Sequence, residues 1–404
     1  MPRQDLIYLQ PSGWQNDPEE ERLKVSTLDY LAPCTYNGHS FFVQWFDADG
    51  EEYPSLDDIE KAHFSATILG DLNRWSVPPM TYGEKPEAHP DNAPIVAAYK
   101  ANFVRGWLVF IMHHHHYSND VMGWVDFTHQ LAENCRAVFI NDEAAFPTWD
   151  PSCLDRSRLI KPEPPEDVKI DGPPPPQRHP DHTGAVSLLF HLPKSKAAEL
   201  KKLATPSDGS WVSTYDAFSA FIWRTLSRLR APVFKPDMSA PLRWFEAVDM
   251  RRRLHSPKCP PRIQCNVMYA ATSPTAPFPQ PTAAEVIEWP LLKLASYIRR
   301  LTNSVMQESL DQTLNMVAII RGKMALSFRI NSEPLFTAAD FGFATPGVII
   351  IYPPRRAAAD SDEGCEFSIA YEKSLAQTLI GDLEWSKYFE YRGVDAEDAG
   401  YYRN

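Results

Sequence analysis

The sequence predicts an α/β protein built in two halves. Three observations carry that expectation. Short aromatic and β-branched runs alternate with stretches of helical periodicity, a proline-rich segment interrupts the chain near its middle, and 404 residues suit two domains. Hydrophobic residues make up 44% and charged residues 23%, which is ordinary globular material.

In the first half, HSFFVQWF (39–46) and VRGWLVFIMH (104–113) have the short, aromatic, β-branched character of buried strands. GWVDFTHQLAENCRAVF (123–139) then spaces its apolar positions as a helix does. The connector follows, KPEPPEDVKIDGPPPPQRHP (161–180), where repeated prolines fix φ and remove backbone donors. It divides the chain into residues 1–160, a linker at 161–182, and residues 183–404. Beyond it, AVSLLFHL (185–192) reads as a strand and STYDAFSAFIWRTLSRLR (213–230) as the clearest helix, opened by a capping box of Ser213 and Asp216. GVIIIY (347–352) and CEFSIAY (365–371) are further strands, and SLAQTLIGDLEWSKYF (374–389) a last helix.

A formal net charge of −12 argues against a nucleic-acid partner, which is bound through an excess of Lys and Arg, although DMRRRL (249–254) could hold a single phosphate. The first residues are polar and acidic, and the longest apolar runs are too short to span a bilayer. Six cysteines are scattered without a CxxC pair, as expected for free thiols in a reducing compartment. A cytoplasmic protein, without a membrane partner and monomeric, is the expectation.

Four consecutive histidines, His113–His116, close the strand at 104–113 and precede the helix. In a strand, successive side chains face opposite ways, so four histidines cannot converge on one ion, and no familiar metal-ligand spacing accompanies them. No metal site is expected. The register of HYSNDVMG, with His116, Asp120 and Gly123, offers a different use. An imidazole titrating near about 6.5 can take a proton from an alcohol or amine. An acid four residues on can orient the ring or brace the loop, and Gly123 allows close backbone approach. HxxxD by itself is a weak pattern.

Its surroundings are more specific. PIVAAYKANFVRGWLVFIMHHHHYSNDVMG resembles the segment around the active histidine of the BAHD acyltransferases, nearest to their fungal branch. WVSTYDAFSAFIWRTLSRLR, AVDMRRRL and RINSEPLFTAADFGFATP resemble further family segments in the same order. The resemblance implies two similar chloramphenicol-acetyltransferase-like α/β domains with mixed sheets, joined by a long crossover loop. It implies an acyl-CoA-dependent acyltransferase, with acetyl the first expectation for the acyl group. The acceptor would be a small secondary metabolite, through a hydroxyl before an amine. Acyl-CoA is then a co-substrate, and no permanently bound cofactor is expected.

Carried over residue by residue, His116 is the base and His115 completes the double-histidine motif. Asp120 belongs to the same catalytic motif, although the family pattern favours its bracing the loop through Arg251 or Arg253. Asp340 and Gly342 belong to the DFG motif, with Asp340 a partner for the other arginine. Ser213 and Thr214, at a helix start, are candidates for contact with the CoA pantetheine or phosphates, as are Lys201 and Lys202; capping and a solvated helix face explain them equally well.

The chain departs from the family in three places. DFGWG is DFGFA here, with Phe343 and Ala344; Cys265-Asn266 stands where Gly-Asn is usual; and no P-x-L-A-G-R-L segment is recognisable around 66–90. These departures admit a second reading, the same fold using His116 for a CoA-independent cyclisation, elimination or rearrangement. A third is a binding protein with a decayed site, against which intact His116, Asp120 and Gly123 count.

Overall fold

The computed structural model describes residues 3–9, 39–47, 53–77, 97–114, 119–148, 150–162, 164–171, 184–321, 348–354 and 361–397. His115, His116, Asp340 and Gly342 lie outside them.

The first sheet has the order β1-β2-β3-β4, from Arg3–Leu9, His39–Trp45, Ala97–Val104 and Trp107–His114. β2 and β3 run parallel and the outer pairs antiparallel. The expected strand at 104–113 starts later than the sequence suggested. Arg105 and Gly106 form the β3–β4 turn, with Gly106 at φ +90°, a conformation glycine adopts without steric cost.

Three short helices, α1 (Leu56–Lys61), α2 (Ala66–Leu69) and α3 (Leu72–Trp75), lie against this sheet. Phe46, Ile59, Trp75 and Val104 form a small core there, with Phe46 and Trp75 ring centroids 4.8 Å apart. Helix α4 (Val121–Ile140) follows β4. It begins at Asp120 and ends where Asn141 turns left-handed at φ 51°.

A run of 3₁₀ turns spans 143–168 and knits the first half to the second. Leu159, fully buried, already belongs to the core of the second half. Arg156 Nη2 donates to the Gln264 carbonyl at 2.6 Å, and Gln264 N donates to the Cys153 carbonyl at 2.9 Å. Arg158 pairs with Asp311 at 2.7 Å. Two residues of the connector, Ile170–Asp171 (β5), pair in parallel with Ile320–Arg321 (β9).

The second four-stranded sheet has the order β10-β11-β6-β12, from Ile349–Ile351, Cys365–Glu372, Ala185–Leu192 and Glu390–Glu397. Its described pairs are all antiparallel. β6 is buried on both faces, which accounts for its nearly unbroken apolar sequence. Helices α5 (Lys194–Ala204), α6 (Thr214–Phe234), α7 (Ala283–Glu288), α8 (Leu291–Ser304) and α9 (Gln307–Ile319) surround this half. Phe218, Phe221, Ile222 and Leu226 of α6 are almost wholly buried against Phe190, Phe367 and Trp385. Each such side chain contributes about 1.5–3 kcal/mol of transfer free energy. Arg230 of α6 and Glu372 of β11 form a two-pronged buried pair, at 2.9 and 3.1 Å, so their charges are matched rather than stranded.

A separate two-stranded ribbon, β7 (Phe245–Asp249) with β8 (Met268–Thr272), carries the segment that reaches the first half. The single helix expected over 374–389 is two: α10 (Ala376–Ile380) and α11 (Leu383–Ser386). Asp382 separates them because its carboxylate caps the second, accepting from Trp385 N at 2.9 Å.

Candidate active site

β4 delivers the histidine run. His113 and His114 are its last described residues, and their neighbours differ as strand alternation requires. His113 Nε2 accepts from Val77 N at 3.2 Å, on the α3 side. Burial, then the charge of nearby Lys100, lowers its pKa, in keeping with this acceptor role. His114 instead packs edge-on against Phe127 of α4, with centroids 4.9 Å apart. Among the described residues no group of three or more His, Cys, Asp or Glu could hold a metal ion.

Past the undescribed residues 115–118, the chain re-emerges at Asn119 and Asp120. Asp120 is the N-cap of α4 and only 3% exposed. Its carboxylate accepts four hydrogen bonds, two at each oxygen. Gly123 N and Arg251 Nη2 donate to Oδ1 at 2.9 and 2.8 Å. Arg251 Nη1 and Val267 N donate to Oδ2 at 3.0 and 2.7 Å. A carboxylate oxygen accepts about two such bonds, so this group is saturated.

Arg251 is the hub of this joint. It also donates to Asp249 Oδ1 at 3.0 Å and to the Cys265 carbonyl at 2.8 Å. Burial disfavours its charge, but the hydrogen bonds and charge of Asp120, and then of Asp249, outweigh burial and raise its pKa. Asp120, at the start of α4, is thereby tied across 131 residues of sequence to the end of β7 and the segment leading into β8.

Gly123 has a steric reason. A Cβ there would overlap Asn119 Oδ1 and stand 3.1 Å from Arg251 Nη2. Cys265, in the place of a usual glycine, is fully buried, and its backbone carbonyl serves Arg251. Arg253 lies apart from Asp120. Its Nη1 donates to the carbonyls of Thr302 and Val305, at 3.0 and 2.8 Å, satisfying acceptors at the end of α8.

Ser213 and Thr214 open α6. Ser213 forms the capping box with Asp216, its N–H and hydroxyl donating to Asp216 Oδ2 and its oxygen accepting from Asp216 N. Thr214 is exposed. Asp216 is also gripped by Arg299 of α8 at 2.6 and 2.8 Å, a partner 83 residues away that periodicity could not reveal.

Beside it lies a buried carboxylate absent from the sequence expectations. Glu246 of β7 is 1% exposed and accepts from Thr302 Oγ1 at 2.5 Å. Burial raises its pKa, and the hydrogen bond from Thr302 only partly offsets the rise. Burial and the charge of Glu246 raise the pKa of the Tyr215 hydroxyl, although the residue as a whole is 41% exposed.

The family model described as "Transferase family" matches residues 67–357. An acetyltransferase of Gibberella zeae, FGR3, is 58% identical across 98% of this chain and 95% of its own length. That alignment runs over 476 positions, more than the 404 residues here, so the relative has internal segments without a counterpart in this chain. The trichothecene 3-O-acetyltransferase TRI101 of Fusarium sporotrichioides is 26% identical over 85% of this chain and 78% of its own. Among solved structures, F. graminearum TRI101 complexed with coenzyme A and deoxynivalenol superposes with a TM-score of 0.62 at 21% identity. That match covers 87% of this chain and 81% of that one. Vinorine synthase superposes at 0.51 and 17%, covering 90% and 79%. At these identities the structural likeness shows the fold.

Proposed function

The chain belongs to the Transferase (BAHD) family, and on that premise we propose that it moves an acetyl group from acetyl-CoA to a hydroxyl of a secondary-metabolite acceptor, with His116 as general base. Family membership and the named acetyltransferase relatives support the reaction class. The single observation that carries the site is the saturated Asp120 carboxylate bound to Arg251, which ties the residue four positions after His116 to the second half. We read the halves as residues 1–160 and 183–404, joined by the crossover at 161–182.

In this scheme neutral His116 takes the proton of the acceptor hydroxyl as its oxygen attacks the thioester carbonyl. The tetrahedral intermediate collapses, the C–S bond breaks, and the imidazolium returns the proton to the CoA thiolate. Both substrates are held together, so no acyl-enzyme forms and orientation lowers much of the barrier. Asp120 has no lone pair to spare for proton transfer and acts as a positioning residue through Arg251. Asp340 and Gly342 shape the CoA side by the family pattern. Thr214 is the better candidate for a CoA contact, since the Ser213 oxygen is occupied in capping.

The test is thiol release from acetyl-CoA in the presence of a panel of polycyclic alcohols and amines, with CoA binding followed by calorimetry. Acceptor-dependent thiol release, lost in His116→Ala, is the expected result. Absence of CoA binding would remove this reading and favour CoA-independent use of the same histidine.

A further inference from the structure

A concave site stands apart from the joint at Asp120. A cavity of about 440 Å³ lies between the later turns of α4, the 3₁₀ turns that follow, and the turn at Pro261 and Arg262. That volume suits a small metabolite. Gln130 and Arg136 line it from α4, about 15 and 24 Å along the helix from Asp120 at a rise of about 1.5 Å per residue.

Most of the polar groups on its wall are already occupied. Glu133 and Arg262 satisfy one another in a two-pronged pair, at 2.7 and 2.8 Å. Arg262 holds a left-handed φ of 53°, which costs energy for a residue with a Cβ and is a kind of strain that clusters at ligand clamps. Gln130 Oε1 accepts from Gln264 Nε2 at 3.3 Å.

Two charges of opposite sign remain. Arg136 is exposed and has no hydrogen bond or ion pair among the described residues. Asp150 Oδ1 accepts from Ser152 N at 3.0 Å, but the carboxylate has no ion pair among the described residues. Hydrogen bonds from Ser152 lower its pKa, which keeps it ionised at neutral pH. The rest of the wall is apolar, from Ala145, Pro147, Pro261 and the buried Cys153. Burial, then the charge of Asp150, raises the pKa of that thiol, so it adds no charge.

A simple anion in this cavity meets the Asp150 carboxylate, and a simple cation meets the Arg136 guanidinium. A small zwitterion with an apolar substituent meets neither objection. We propose that the cavity binds an apolar α-amino acid, with its carboxylate on Arg136, its ammonium on Asp150 and its side chain against Pro147 and Pro261. The ligand adjoins the segment that builds the Asp120 joint. The carbonyls of Ile263 and Cys265 accept from Arg251 there, and Val267 N donates to Asp120. The site is independent of the acyl-transfer reading.

The test titrates three ligands by calorimetry into the full-length wild type, Arg136→Gln and Asp150→Asn. They are L-phenylalanine, phenethylamine, which lacks the carboxylate, and 3-phenylpropionate, which lacks the ammonium. Asn at 150 keeps an acceptor for Ser152 N, and Arg136 is exposed, so both variants keep the fold. The wild type binds phenylalanine about tenfold or more tighter than either truncated ligand, as loss of a hydrogen bond to a charged group implies. Arg136→Gln binds phenylalanine no better than phenethylamine, and Asp150→Asn binds it no better than 3-phenylpropionate. Added acetyl-CoA does not displace it. Absence of binding in the wild type, equal affinity for the three ligands, an unchanged preference in both variants, or displacement by acetyl-CoA would each overturn the proposal. No turnover is read, so the titration decides the site even if the acyl-transfer reading fails.

Discussion

Replacing Asp120 by Asn tests whether this carboxylate braces or reacts. The side chain is 3% exposed and accepts two hydrogen bonds from Arg251, one from Gly123 N and one from Val267 N. An amide turns one acceptor oxygen into a donor that faces two existing donors, and it removes the charge that balances Arg251. Breaking one side of a buried pair costs about 3–5 kcal/mol. Asp249 still contacts Arg251 at 3.0 Å, which places the cost near the lower end, about 3 kcal/mol. For a unit of 150–250 residues that lowers Tm by about 6–12 °C. Scanning calorimetry of Asp120→Asn, Arg251→Met and the double variant measures it. The brace predicts that the double variant loses less than the sum of the singles, because both remove the same contact. It also predicts that turnover per folded molecule keeps the wild-type pH profile. Direct acid–base participation makes the opposite demand, a loss of about 10²–10⁴ in kcat with a missing limb of the profile. That outcome at unchanged stability would refute the reasoning.

Two further outcomes follow from neighbouring geometry. Gly123→Ala places a methyl into Asn119 Oδ1 and against Arg251 Nη2, so overpacking destabilises by about 1–3 kcal/mol. Asn119→Ala in the same background recovers part of that loss, measurable by urea midpoint. Lys100 is 3% exposed and donates to the carbonyls of Arg74 and Ser76, and burial pushes its pKa down to about 8 from an ordinary value of 10.5. The unfolded chain holds this proton over the interval where the folded chain has released it. Stability from this group therefore rises with pH between about 8 and 10.5. The stability difference between wild type and Lys100→Met, followed by urea midpoints from about pH 7 to about pH 10, increases in favour of wild type. A flat difference would show that the folded amine is not perturbed.

Much of the second half was legible because its pattern is local. β6 matches the apolar run 185–192, and α6 starts at the capping box read from Ser213 and Asp216. β3 was illegible for the opposite reason. Lys100 and Asn102 interrupt its apolar run, yet both are buried, the Lys100 ammonium and the Asn102 amide nitrogen donating to carbonyls of Arg74, Trp75 and Ser76 at the end of α3. Polar residues that find tertiary partners defeat a periodicity reading. The choice between Arg251 and Arg253 was equally hidden. They are two residues apart in one motif, and only the folded chain sends one to Asp120 and the other to the end of α8. Glu246 carried no sequence signal at all, since its partner Thr302 comes from a distant helix, α8.

The most direct measurement of the central claim is the pH dependence of kcat/KM for acetyl-CoA, with an accepted alcohol at saturation, in wild type and His116→Ala. A single imidazole base predicts a wild-type rate that rises through the histidine range, near about 6.5. The variant should lie about 10²–10⁴ lower and lose that rise. A variant that keeps the wild-type rate, or one that is slower with the same titration, would contradict the assignment of His116 as the base.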